Sequence, residues 1–346
     1  MYQRDRMEKL SFILLFFGLI DIQLLTANAA VDQHVLYQWN SFKIRFNKTY
    51  QSTNHEQQRM EIYLNNIEEI TKHNELFEKG EVMYKKGVNQ FTDLTSQEFS
   101  DRYLSKLNSF QNTRSYPMAT CPIGKGTPPD HKDWVHEGAV TRVKNQGACG
   151  CCWAFSAAAL LESHLYIKNK KLEDLSPQNL VDCVLGPLSK GCCGGLVEES
   201  MDYVMKGGIA TEKSYPYEAR RRACRYVQTE NDYSRKIINY TQIPENNGEC
   251  LKEVVGLIGP VSCYMDAVDF QHYESGILHR TKCSNKASDI SHALVIVGYG
   301  TTRVNKTDYW LVKNSFGETW GEQGYVKVLR NKNECAVESW NFYPIL

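Results

Sequence analysis

The run Asn145-Gln146-Gly147-Ala148-Cys149-Gly150-Cys151-Cys152-Trp153-Ala154-Phe155 holds three cysteines within four positions, a pattern open to a disulfide, a metal site or a catalytic thiol. A thiol nucleophile needs a thiolate, a base to take its proton and a group to orient that base. Cys152 directly precedes a helical run that starts at Trp153, where the exposed amides and the helix dipole favour the thiolate. Cys149 lies on the preceding loop, less well placed in that field, and Cys151 must leave the backbone in another direction. For the base, His292 in Ser291-His292-Ala293-Leu294 leads into a strand between small residues. Asn314 ends another strand in Lys313-Asn314-Ser315-Phe316-Gly317, and its amide oxygen is suited to hold one imidazole nitrogen so that the other faces sulfur. Gln146 is the candidate donor to a carbonyl oxygen gaining charge, together with the backbone N–H of Cys152. A zinc site built from Cys149, Cys151 and Cys152 with Cys192-Cys193 is a poor alternative, because adjacent cysteines rarely place both sulfurs on one tetrahedron. No metal or other cofactor is expected.

These residues need elements to hold them. Trp153 to Lys168 reads as a helix with Ala, Leu and Phe on its buried side. The later apolar runs, Val254–Ile258, Val261–Met265, Ala293–Tyr299, Tyr309–Lys313 and Gly324–Val328, read as strands of an antiparallel sheet or partly closed barrel. The predicted fold class is α+β: a helical half and a β-barrel-like half with a substrate cleft between them. Upstream, Met60, Tyr63, Leu64, Ile67 and Ile70 recur at helical spacing in a charged rod from Glu56 to Asn74. Tyr37, Trp39, Phe42 and Phe46 predict a shorter helix before it, and Val88, Phe91 and Leu94 a strand or turn leading to a small helix near Gln97. The Ser-, Thr-, Gly- and Pro-containing stretch from Asn108 to Pro129 reads as a linker open to proteolysis.

Forty basic and forty acidic side chains in 346 residues give a net charge of +0, so no global field recruits nucleic acid or an anionic membrane. Arg4, Arg6 and Lys9, the apolar run Leu10–Ile20 and Ala27-Asn28-Ala29 have the form of a cleaved signal peptide over residues 1–29. No later run is long enough to span a membrane. Secretory entry makes disulfides natural for the 12 cysteines, and Asn47, Asn239 and Asn305 are glycosylation candidates.

The Asn145–Phe155 run resembles the active-site motif of papain-like cysteine proteases, and Ser291–Gly300 with Tyr309–Gly321 resemble that family's histidine and asparagine motifs. His292 follows Cys152 by 140 residues. Upstream, Arg59, Asn66, Ile70 and Asn74 match the helical propeptide pattern of the cathepsin L-like branch, with Tyr63 in place of Phe and His55 in place of Glu. Gly87, Asn89, Phe91 and Asp93 match a second propeptide motif, so the resemblance runs from about Trp39 to Pro344. It implies an inhibitory propeptide and linker over residues 30–127 and a peptidase domain over 128–346. It also implies Cys152 as nucleophile, His292 as base and acid, Asn314 as orienter and Gln146 as oxyanion donor. Phe316, where the family has Trp, and Trp320 would shield the site, and Cys151 stands where the family has Ser or Ala.

The disulfides implied by the resemblance are Cys149–Cys192, Cys183–Cys224 and Cys283–Cys335, which leave Cys121, Cys151, Cys193, Cys250 and Cys263 without assigned partners. Cys193, Gly194 and Gly195 would meet the extended substrate. Leu196, Val197, Ala267, Ile290, Ala293 and Trp340 would form an apolar pocket for the second residue before the cleaved bond, shortened by Trp340 to favour Val, Leu or Pro over Phe. The implied partners are polypeptide substrates, the chain's own propeptide and protein inhibitors of the cystatin type, acting on a monomer in a lysosome-like or extracellular compartment. An aminopeptidase retaining a propeptide fragment through Cys121 and a non-catalytic binding protein on the same scaffold are the alternative functions.

Overall fold

A computed structural model describes residues 33–105, 116–121, 123–279 and 282–346. The expected signal segment lies outside them. The chain divides into two compact units, one ending at Leu64 and one beginning at Asn65.

In the first unit a helix over 33–45 (α1) precedes the start of a long helix, α2, which runs Thr53–Glu78. Trp39 and Phe42 pack their rings with Tyr63, and Lys43 pairs with Glu56. The aromatic spacing seen in the sequence therefore does close one small core.

In the second unit α2 is tied to the strand β1 (Tyr84–Lys86) through asparagine side chains. Asn74 donates to the Lys86 carbonyl at 2.8 Å and accepts from its N–H at 2.9 Å, while Asn66 donates to the carbonyls of Thr92 and Leu94. Buried backbone groups that a three-residue strand leaves unpaired are satisfied this way. The short helix α3 (Ser96–Tyr103) begins with a reciprocal Thr95–Glu98 capping box, and the chain leaves it extended at Leu104.

The helix α4 (Cys152–Asn169) is buried on nearly all sides. It packs on α5 (Pro177–Cys183) and α6 (Val197–Gly207) and, on the other side, on sheet strands β4 (Val261–Met265), β6 (His292–Thr301) and β9 (Phe342–Ile345). The sheet runs in the order β1-β5-β8-β7-β6-β4-β9-β3, with β2 (Lys132–Asp133) added to β6. Here β3 is Asn239–Gln242, β5 Tyr273–Leu278, β7 Asp308–Lys313 and β8 Tyr325–Leu329. The mixed helical and β architecture agrees with the sequence reading, with two differences. β5 and β8 pair in parallel. Val254–Ile258 is no strand: it belongs to the end of a helix over Gly248–Leu257, in which Leu251, Val254 and Val255 are buried at helical spacing.

Among the described residues four disulfides are present. Three are those implied by the resemblance, and the fourth joins Cys121 to Cys250. Each such crosslink contributes about 2 to 4 kcal/mol by restricting the unfolded chain. The stretch read as a linker is thus partly fastened: Ala119 donates to Gln242, Gln242 to Pro117, and Ile123 to the Glu253 carboxylate.

Candidate active site

Two loops converge at the start of α4. Gln146 N–H donates to the Ser315 carbonyl at 2.9 Å, and Gly317 N–H to Lys144 at 3.0 Å, so the loop before α4 pairs with the loop after β7. The Cys149–Cys192 disulfide and a Gly150-to-Cys192 hydrogen bond fix the same loop to the segment Gly191–Cys193. A side chain at Gly150 would stand 2.8 Å from the Cys192 carbonyl, so this approach requires glycine. Cys152 becomes the first residue of α4, with Cys151 as an N-cap whose side chain makes no capping bond.

Cys152 Sγ accepts from the Ala293 N–H at 3.4 Å, which sets the sulfur against the first residues of β6. His292 Nε2 lies 2.8 Å from Asn314 Oδ1, which also accepts from the Ser315 N–H at 2.7 Å. A backbone N–H can only donate, so that atom of Asn314 is the oxygen, and the imidazole must donate to it. The neutral ring then carries its lone pair on Nδ1, which is buried and has no hydrogen-bond partner. Phe316 stacks on the imidazole with ring centres 4.8 Å apart, and Trp320 meets Phe316 edge-on. Behind Asn314, the buried Lys313 ammonium donates to the Thr141 carbonyl and hydroxyl, and Lys144 pairs with the buried Glu162 at 2.8 Å. No motif marked these charges in the sequence.

The N-terminal region occupies this site. Ser105 Oγ and Cys152 Sγ share a 3.1 Å hydrogen bond, and Ser105 N–H donates to the Ser291 carbonyl at 2.7 Å. Gln146 Nε2 spends its two hydrogens on the carbonyls of Cys149 and Tyr103, at 2.9 and 2.8 Å. Phe91, Phe99 and Tyr103 surround Phe316 edge-on. Burial pushes the Cys152 thiol up, against the pull of Ser105 and Ala293, and pushes His292 down to about 4, against its bond to Asn314. Both shifts oppose the thiolate–imidazolium pair. The neutral thiol and neutral imidazole are therefore the favoured forms in this occupied state.

The chain belongs to the papain family of cysteine proteases. The model of that family matches residues 128–345, and the cathepsin propeptide inhibitor domain matches 39–99. A cathepsin L-like peptidase of Aedes aegypti is 39% identical over 92% of this chain and 96% of its own. Digestive cysteine proteinase 1 of Homarus americanus is 38% identical over 88% and 94%. The digestive procathepsin L 3 of Tenebrio molitor larval midgut superposes with a TM-score of 0.80 at 36% identity, covering 90% of this chain and 99% of that one. This chain is a cysteine endopeptidase made as a zymogen with an inhibitory propeptide.

The other residues singled out in the sequence distribute as follows. Cys151 is fully buried, and its thiol donates to the Tyr217 hydroxyl at 3.0 Å, because that phenol spends its proton on the Gln146 carbonyl. Burial pushes the Cys151 thiol up as well. Cys193 is a free, exposed thiol and Cys263 a free thiol in the β core. Gly195 lies flat against the Trp153 ring, where a side chain would collide at 2.5 Å. Leu196, Val197, Ile290 and Ala293 share one apolar cluster with Trp340 against it, whereas Ala267 packs in the β-half cluster. Asn47 and Asn305 are exposed, while Asn239 is half-buried in β3. Among the described residues no helix is long and apolar enough to cross a membrane.

Proposed function

We propose that Cys152 attacks the scissile carbonyl, with His292 first taking the thiol proton and then protonating the leaving amine, and Asn314 holding the ring. Gln146 Nε2 and the Cys152 N–H would receive the developing oxyanion once Tyr103 withdraws. Water then cleaves the acyl-enzyme with His292 as base. The observation that carries this reading is the double acceptance by Asn314 Oδ1, which leaves His292 Nδ1 as a buried, unpartnered base on the residue next to Ala293, whose N–H meets the sulfur. Phe316 and Trp320 would shield that hydrogen bond from water.

The mature enzyme is proposed to begin near residue 128, after loss of a signal over 1–29 and a propeptide with linker over 30–127; the start of the peptidase match at 128 supports this boundary. Cys193, Gly194 and Gly195 line the substrate path. Leu196, Val197, Ala267, Ile290, Ala293 and Trp340 receive an apolar side chain at the second position before the cleaved bond. The enzyme works as a monomer, is blocked by inhibitors of the cystatin type, and acts in a lysosome-like or secreted compartment. The digestive enzymes among its relatives support such a compartment.

Retention of a fragment through Cys121 does not by itself favour an aminopeptidase. That segment is fastened to β3 and the Gly248–Leu257 helix rather than over Cys152. Hydrolysis of an N-terminally acetylated peptide by the acid-activated enzyme separates the two modes. Internal cleavage, abolished in Cys152→Ala and His292→Ala, is expected; release of single residues only from unblocked peptides would contradict it.

A further inference from the structure

Tyr264 was not among the pocket residues expected from the sequence, yet it connects them. It sits in β4 directly opposite Ala293 of β6, and directly opposed residues project from the same face of a sheet. Its neighbours Cys263 and Met265 turn into the β core, while Tyr264 joins Leu196, Val197, Ile290 and Ala293 in the cluster shared with the helical half. Its hydroxyl accepts from the Val197 N–H at 2.7 Å and donates to the Glu198 carboxylate. The side chain is wholly buried and both its ends are fixed, one in the sheet and one on the first turn of α6.

A ring that starts beside Ala293 and ends at Val197 must cross the space between those two walls. We infer that Tyr264, braced by the Val197 amide and Glu198, forms the floor of the pocket for the second residue before the cleaved bond and limits it to short apolar side chains such as Val. This rests on the proposed reading of Leu196, Val197, Ile290 and Ala293 as pocket walls. It assigns the depth to Tyr264 rather than to Trp340. Trp340 is only partly buried at the edge of the same cluster. The phenol cannot swing aside without leaving both the amide and the carboxylate unpaired in a dry interior, so the floor is rigid.

The test compares kcat/KM for blocked peptides carrying Val, Leu or Phe at that position. The wild type, Tyr264→Phe, Tyr264→Leu, Tyr264→Ala and Trp340→Ala would each be acid-activated and normalised by active-site titration. Val should be preferred in the wild type and in Tyr264→Phe, which keeps the ring. Tyr264→Leu and Tyr264→Ala should raise the Phe-to-Val ratio about tenfold or more. Tyr264→Leu preserves enough volume to keep the measurement available if the alanine variant does not fold. An unchanged ratio in Tyr264→Leu, or a rise in Trp340→Ala alone, overturns the assignment to Tyr264 while leaving the pocket intact. Equal cleavage of all three peptides by the wild type overturns the pocket reading as well.

Discussion

Ser105, six residues past the matched propeptide domain, lies 3.1 Å from the sulfur of Cys152, and the carbonyl two residues earlier sits 2.8 Å from the amide nitrogen of Gln146. The same short segment thus occupies both the proposed nucleophile and the proposed oxyanion donor. Its backbone is anchored by the Ser105 N–H on Ser291. Ser105→Pro removes that donor and should weaken propeptide docking by about 1 to 3 kcal/mol. Zymogen carrying it should self-process at a higher pH than the wild type. Ser105→Ala, which keeps the N–H, should change the profile little, and identical profiles for Pro and wild type would contradict the anchoring.

Acid should act on His272. Its ring is buried with neither nitrogen hydrogen-bonded, its carbonyl accepts from Gly87 of the propeptide, and the propeptide's Lys86 and Glu69 are the charged groups that act on it. Burial lowers it to about 4, with Lys86 lowering it further and Glu69 opposing. A free histidine titrates at about 6.5, so whatever part of this lowering docking imposes stabilises the docked state fully above about pH 6.5 and is lost as the pH falls toward 4. His272→Phe should therefore move the midpoint of self-processing to lower pH. An unchanged midpoint would remove His272 from the activation mechanism.

Phe316 is the smaller ring where the resemblance leads one to expect Trp, and in the zymogen the aromatic side chains of Phe91, Phe99 and Tyr103 close around it. An indole would overpack that cage, at a typical cost of about 1 to 3 kcal/mol. Phe316→Trp should accelerate zymogen processing while the mature enzyme keeps its activity. Equal processing rates would show that the cage has room to spare.

The positions of the proposed catalytic residues are legible because each sits where a periodic pattern begins or ends: Cys152 at a helix start, His292 at the head of β6, Asn314 just past β7. The helix over Gly248–Leu257 reads as a strand in the sequence because four of the five residues of Val254–Ile258 are apolar, and short apolar runs do not distinguish strand from helix. Asn247 capping the Cys250 N–H, with Gly259-Pro260 as the stop, was the overlooked local signal. The Cys121–Cys250 bridge, the parallel β5–β8 pair and the Tyr264–Glu198 contact join residues far apart in the chain. Their side-chain types carry no mark of the partner, so only the fold reveals them.

The bridge makes a prediction about mass. If cleavage releases the peptidase domain near residue 128, the piece containing Cys121 remains covalently attached through Cys250. Intact-mass spectra of the activated enzyme should lose that piece on reduction, or else show a start upstream of Cys121. A chain that begins beyond Cys121 and has no reducible attachment would contradict the pairing.

The assignment of chemistry to Cys152 is tested most directly by alkylation of the acid-activated enzyme with a thiol-directed peptidyl epoxide, followed by peptide mapping. Cys151 is buried against Tyr217, whereas Cys152 is covered by Ser105 and the propeptide only until activation. The expected result is stoichiometric modification of Cys152, full loss of activity and an untouched Cys151, with the zymogen reacting far more slowly. Modification confined to Cys151, or inactivation without any label on Cys152, would contradict the account.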